Sequence, residues 1–193
     1  MGYWNFFIVK GSNGEDEIHL SDSTEDLIVI SGGGDDLIFT GSGDDKIIAG
    51  SGDDTVNSGA GNDLIIGGSG NDTLRGSTGH DFIVSGSGND IAWGGSGSDV
   101  LIMGGGDDTA VWEYDETVSS TLDYYDGGGS SWNTGNDTLQ LTFTDIQLES
   151  LNLTEQQIQD FFDSHIGNSI DFRNLHSSLT LVADQFEKIR AIS

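Results

Sequence analysis

An aliphatic residue returns every nine positions through the middle of the chain: Ile38, Ile47, Val56, Ile65, Leu74, Ile83, Ala92, Leu101 and Ala110. Its two neighbours vary between apolar and polar, and the six positions before each triplet are mostly glycine, serine and Asp or Asn. A triplet with an apolar centre reads as a short strand whose middle side chain points inward and whose neighbours point outward. The six residues between triplets read as a loop. A period this short, kept over successive units, predicts an all-β solenoid rather than a single closed globular core.

We number each unit from Ser31, so that the aliphatic residue falls at position 8. Position 6 is then always aspartate: Asp36, Asp45, Asp54, Asp63, Asp72, Asp81, Asp90, Asp99 and Asp108. Position 4 is always glycine, and position 2 is glycine except at Ser77. Those glycines let the backbone curl and turn its carbonyls toward one point. One aspartate in such a loop is an ordinary turn residue. A row of them in register serves no turn, because stacking alternate repeats on one edge, about 4.8 Å apart, sets carboxylate against carboxylate. One edge would carry Asp36, Asp54, Asp72, Asp90 and Asp108, the other Asp45, Asp63, Asp81 and Asp99. A cation between successive turns removes the repulsion. The donors are carboxylate and carbonyl oxygens, a hard set that suits Ca²⁺ better than Mg²⁺ or zinc. The gaps along both edges predict multiple ions, at least about seven, bringing about +14 against a formal charge of −27.

The units, from Ser31-Gly-Gly-Gly-Asp-Asp-Leu-Ile-Phe39 to Met103-Gly-Gly-Gly-Asp-Asp-Thr-Ala-Val111, resemble the nonapeptide of the RTX (repeats-in-toxin) family, the hemolysin-type calcium-binding repeats. The resemblance is strict over residues 31–111 and looser over about 11–140. It implies a parallel β-roll, a right-handed β-solenoid with two nonapeptides per turn, in which the position-6 aspartates and the carbonyls of positions 1–4 share each Ca²⁺. On this chain those carbonyls belong to Ser31, Gly32, Gly33 and Gly34; Thr40, Gly41, Ser42 and Gly43; Ala49, Gly50, Ser51 and Gly52; Ser58, Gly59, Ala60 and Gly61; and Gly67, Gly68, Ser69 and Gly70. They continue with Gly76, Ser77, Thr78 and Gly79; Ser85, Gly86, Ser87 and Gly88; Gly94, Gly95, Ser96 and Gly97; and Met103, Gly104, Gly105 and Gly106.

The flanks carry degenerate copies. Asp16 with Ile18, and Asp26 with Ile28, read as positions 6 and 8 of two earlier units, each ten residues from the next. The apolar run Tyr3–Val9 reads as a cap on the first turn. After Val111 the period stops, and residues 126–140 read as one last repeat with an insertion, Asp137 and Leu139 taking positions 6 and 8. Thr154 and Gln157 form a capping box opening a helix over 154–166, with Ile158, Phe161, Phe162 and Ile166 on one stripe. Leu179–Val182 and Phe186–Ile192 read as short strands. The chain thus divides into a β-roll with its N-terminal cap, residues 1–111, and a small α+β capping segment, residues 112–193.

The outward positions differ between the two faces. On one they are Leu27, Val29, Lys46, Ile48, Leu64, Ile66, Phe82, Val84, Val100 and Ile102. A face that apolar calls for a cover, either the C-terminal segment or a second copy in a homodimer.

Composition narrows the function. There is no cysteine, so disulfides and thiolate metal sites are excluded. Six basic against 33 acidic residues make nucleic acid and anionic membranes poor partners. No apolar stretch is long enough to span a bilayer, and Met1–Val9 does not read as a secretory signal. His19, His80, His165 and His176 form no zinc motif, and no nucleophile or phosphate-loop motif occurs, so no enzyme is expected. The family resemblance implies a module that stays unfolded in the low-calcium cytosol, leaves by type I secretion and folds at the cell surface or outside, as part of a large adhesin or a toxin. The alternatives are a polysaccharide- or ice-binding module, or the accessory module of an exported protease, lipase or epimerase. Position 5 (Asp, Asp, Asp, Asn, Asn, His, Asn, Ser, Asp) is too irregular for a flat ice-binding array.

Overall fold

The computed structural model describes residues 7–113, 123–126, 138–142, 170–171, 181–184 and 188–192. In chain order the strands are β1 (Phe7–Lys10), β2 (Glu17–His19), β3 (Leu27–Gly33), β4 (Leu37–Phe39), β5 (Lys46–Ser51), β6 (Thr55–Ala60), β7 (Leu64–Ser69), β8 (Thr73–Thr78) and β9 (Phe82–Ser87). They continue with β10 (Ile91–Ser96), β11 (Val100–Gly105), β12 (Thr109–Glu113), β13 (Asp123–Asp126), β14 (Thr138–Thr142), β15 (Ile170–Asp171), β16 (Leu181–Asp184) and β17 (Lys188–Ile192). Odd and even repeats separate into two parallel sheets, ordered β1-β3-β5-β7-β9-β11-β13-β16-β15 and β17-β14-β12-β10-β8-β6-β4-β2. Only β15 runs antiparallel to its neighbour among the paired strands. The chain is an all-β parallel solenoid with two nonapeptides per turn and no helix among the described residues.

Stacking is in register at 18 residues. Ile47 lies on Ile65 and Ile65 on Ile83 in one sheet, and Val56 on Leu74 and Leu74 on Ala92 in the other. Every position-8 side chain is buried between the sheets. Each Ile or Leu in that column contributes about 1.5–3 kcal/mol of burial, which gives every rung its own share of core.

The sequence expectation needs correction at several points. Strands are longer than the triplet: in β5 to β11 they run through positions 7–9 and on through positions 1–3 of the next unit. Only positions 4–6 form the turn, because identical neighbours lend the glycine-rich backbone hydrogen-bond partners from rung to rung, as in Gly52 N–H to Ser69 O at 2.8 Å. The Asp26 unit is shifted by one residue. Val29, not Ile28, stacks on Ile47, and Leu27 and Val29 are buried while Ile28 and Ile30 take the outward register. The ten-residue spacing allows this, and the hydrogen bonds to the regular strand β5 decide it. The Asp16 unit keeps its expected register, with Ile18 on Ile38.

β1 pairs with β3 as an outermost rung of its sheet, with Phe7 and Ile8 more than half exposed; Tyr3 to Phe6 lie outside the described residues. Beyond Val111 both sheets continue: Leu139 stacks on Ala110 and is buried, β13 and β16 extend one sheet, and β17 extends the other. Asp137 and the expected helix over 154–166 lie outside the described residues. The apolar outward face is present with its corrected members, Ile28, Ile30, Ile48, Leu64, Ile66, Phe82, Val84, Val100 and Ile102, around the charged Lys46. The opposite face is mixed. There Arg75 lies over the Trp93 ring at 5.1 Å, and His19 stacks on Phe39 at 5.3 Å.

Position 2 of the strand depends on glycine. Gly68 has φ +126°, and a Cβ there would run into the carbonyl oxygen of Gly50. Ser77 is the one non-glycine residue with positive φ among the described residues, at +82°, and its Oγ reaches Asn57 Oδ1 at 3.0 Å. We expect Gly68→Ala to lower stability in calcium by about 1–3 kcal/mol. For Ser77→Gly, relief of strain offsets the lost hydrogen bond, and the change stays within about 1 kcal/mol. Urea denaturation of both variants checks the pair; equal tolerance at the two positions would contradict the geometry.

Candidate metal centre

The turn at positions 4–6 places each aspartate on the inner side of the corner, nearly inaccessible to solvent from Asp36 to Asp108. One carboxylate oxygen is used in stacking. Asp54 Oδ1 accepts the Asp36 N–H at 2.8 Å, Asp72 the Asp54 N–H at 2.9 Å and Asp90 the Asp72 N–H at 2.8 Å. On the other edge Asp63 accepts from Asp45 at 2.8 Å, Asp81 from Asp63 at 2.9 Å and Asp99 from Asp81 at 2.9 Å. The row closes with Asp108 on Asp90, Asp36 on Asp16 and Asp45 on Leu27, each at 2.8 Å.

The second oxygen is left over. Oδ2 of Asp36, Asp45, Asp54, Asp63, Asp72, Asp81 and Asp90 is buried and accepts no hydrogen bond. A buried ionised oxygen without a partner is costly, and the cost is repeated rung after rung. Burial pushes Asp72 and Asp81 up to about 7 and Asp54 to about 6, with the neighbouring carboxylates of the same edge adding to it and the backbone N–H bonds opposing it. Asp45, Asp63 and Asp90 are raised by the same burial, opposed by backbone N–H groups and by the hydroxyls of Thr40, Ser58 and Ser85. Asp99 is raised by burial as well.

These directions set the pH behaviour of the metal-free chain. A carboxyl whose folded value lies above its unfolded one binds more protons folded than unfolded, so stability falls as pH rises between the two. For Asp72 and Asp81 that window runs from about 4 to about 7. In EDTA the chain is expected to be more structured at pH 5 than at pH 8. Circular dichroism across that range tests it, and a metal-free fold that strengthens toward pH 8 would be inconsistent with the buried row.

Carbonyls of position 1 come to the same place as the orphan oxygens. A Cβ built on Gly67 would lie 2.5 Å from Asp72 Oδ2 and 2.6 Å from Ser85 O, so carboxylate and carbonyl converge over that glycine. Gly76 stands likewise between Asp81 Oδ2 and Gly94 O. Position-3 carbonyls, by contrast, already accept rung-to-rung N–H bonds, as Ser51 does from Gly34 and Ser87 from Gly70. No group of three Asp, Glu, His or Cys side chains gathers at one point among the described residues. A cation would therefore draw on one row of carboxylates and on backbone carbonyls, an all-oxygen set that fits Ca²⁺ and not zinc.

The structure separates the flanking candidates. Asp16 joins the inner row, and its Oδ2 accepts Ser12 N–H at 2.6 Å and Ser12 Oγ–H at 3.0 Å. Asp26 does not join it; the shifted register puts it at position 5, where it accepts the Asp44 N–H at 2.9 Å. That contact belongs to an outer ladder on the surface: Asp35 accepts from Asp53 N–H, Asp44 from Asn62, Asn62 from His80 and His80 Nδ1 from Ser98. Reading position 5 as an irregular row overlooked this role, His80 included. So did reading position 1 as a loop carbonyl only: Ser31, Thr40, Ala49, Ser58, Ser85 and Met103 are buried there. The signals were present, since position 1 is never charged and position 5 is nearly always a short acceptor.

The family model described as RTX calcium-binding nonapeptide repeat (4 copies) matches residues 30–65, 66–101 and 75–110. No curated protein and no solved structure gives a significant match to the chain. The matched segment coincides with the regular rungs and with the double row of buried aspartates. Residues 30–110 of this chain therefore belong to the RTX calcium-binding nonapeptide repeat family.

Proposed function

We propose that this chain is a calcium-binding module whose solenoid forms when Ca²⁺ fills its two inner rows. The observation that carries the reading is the repeated buried Oδ2 with no hydrogen-bond donor, beside a position-1 carbonyl, in a chain of formal charge −27. The ligands are the position-6 aspartates from Asp36 to Asp108, with carbonyls of positions 1–4 and those of position 1 foremost. Bound Ca²⁺ supplies charge neutralisation and a shared partner for successive rungs; the chain's own residues supply rigid spacing through the Oδ1 bonds. Because the site does not exist in the unfolded chain, binding free energy becomes folding free energy.

This reading suits a protein that must stay unfolded at low cytosolic calcium and fold outside, where such modules bind at about 10⁻⁴–10⁻³ M. We infer a role in type I secretion and in stabilising a large exported bacterial protein at the cell surface, an adhesin before a toxin or an exported enzyme. Residues 1–111 would hold the ladder, and residues 112–193 would close the stack. The apolar face is read as the packing surface for the C-terminal segment or a second copy. Equilibrium dialysis with elemental analysis tests the metal reading. At least about seven Ca²⁺ per chain are expected at millimolar calcium, with little displacement by equal magnesium; one or two ions would be too few for the rows described.

A further inference from the structure

The position-1 residues fall into two kinds. Four of them carry a hydroxyl that donates to the position-1 carbonyl two repeats on: Ser31 to Ala49 O at 2.7 Å, Thr40 to Ser58 O at 2.6 Å, Ser58 to Gly76 O at 2.9 Å and Ser85 to Met103 O at 2.6 Å. The other five, Ala49, Gly67, Gly76, Gly94 and Met103, have no hydroxyl. Ala49, Gly67 and Gly76 have nothing to donate to the carbonyls of Gly67, Ser85 and Gly94.

The difference bears on the inner rows in two ways. A hydroxyl has one proton. Where it is present, it occupies a carbonyl that a cation would also use, and it can turn to the carboxylate beside it when no cation is there. Where it is absent, no hydroxyl competes for the position-1 carbonyl, and Asp72 and Asp81 have no side-chain donor to fall back on. At Gly67 and Gly76 the absence of a Cβ also lets Oδ2 lean in beside the carbonyl.

We propose that position 1 grades the calcium sites along the solenoid: those on the hydroxyl-free rungs of Ala49, Gly67 and Gly76, at Asp54, Asp72 and Asp81, fill earlier and bind more tightly than the sites next to Ser31, Thr40, Ser58 and Ser85. The inference rests on the calcium-ladder reading and adds an order of filling to it.

The test is a pair of reciprocal substitutions in the full chain, followed by isothermal titration calorimetry with CaCl₂. Gly67→Ser installs a hydroxyl on a rung that lacks one, and Ser58→Gly removes one from a rung that has it; Ser58→Ala removes the hydroxyl but keeps the Cβ. Since a net hydrogen bond corresponds to about a three- to tenfold change in an equilibrium constant, Gly67→Ser should weaken the tightest class by about that factor. Ser58→Gly should add a site to that class, with Ser58→Ala giving a smaller gain. Hydrogen exchange at limiting calcium gives a second readout, with protection of residues 64–84 expected before that of 27–39. Variants that titrate like the parent, or protection appearing first at residues 27–39, would overturn the grading and leave the ladder standing. A parent chain that gives no calcium-dependent heat or protection would remove the ladder and the grading together.

Discussion

In excess EDTA at pH 8 the chain should lose its β-sheet circular dichroism signal and regain it cooperatively with millimolar Ca²⁺, but not with millimolar Mg²⁺. Without a cation, the folded state must bury ionised oxygens on Asp36, Asp45, Asp54, Asp63, Asp72, Asp81 and Asp90 that accept no hydrogen bond. It must do so in a chain carrying −27, and with position-8 burial as the main opposing term. Calcium at about tenfold its dissociation constant contributes about 1.4 kcal/mol per site, hence about 10 kcal/mol over seven sites. That is comparable to the whole stability of an ordinary domain. A chain equally β-rich in EDTA and in calcium at this pH would show that the rows need no cation.

Asp72→Asn should change stability in opposite directions with and without calcium. The amide keeps an oxygen for the Asp54 N–H, so the rung-to-rung bond at 2.9 Å survives. Without metal, it removes a carboxylate that burial has pushed up to about 7, a gain on the order of 2 kcal/mol at pH 8 after allowance for relaxation. With calcium, it removes a charged ligand facing Asp54 on one side and Asp90 on the other, which loses two sites, about 3 kcal/mol at the concentration above. Asp16→Asn is the comparison. Asp16 is at the end of its row and half-buried, and Ser12 already serves its Oδ2, so the change should be under about 1 kcal/mol in either condition. Denaturant midpoints measured in calcium, and in EDTA with sulfate to support the metal-free fold, decide it. A change of the same sign in both conditions would mean that Asp72 is a structural hydrogen-bond acceptor and nothing more.

The period of nine, the inward position 8 and the alternation of repeats between two edges were legible in the residues themselves. So was the acidic row. These are local or strictly periodic properties, and a strict repeat transfers the conformation of one unit to all others. Ile47 and Ile65 had to stack once two units made a turn. Asp26 shows where this reasoning stops. Its unit is ten residues from the next, and two registers are open until the hydrogen bonds of β3 to β5 choose Val29 for the core.

What the sequence alone determined, then, is a solenoid with a carboxylate at every corner and a formal charge of −27. Only the tertiary structure decided how each carboxylate is divided, with Oδ1 tied to the backbone of the preceding rung and Oδ2 left beside a position-1 carbonyl. It also decided that position 1 is an interior residue and that position 5 builds a second ladder on the surface. The physical reason is common to these points. Each depends on which groups of one rung meet which groups of the next, a distance of 18 residues along the chain but one hydrogen bond in space.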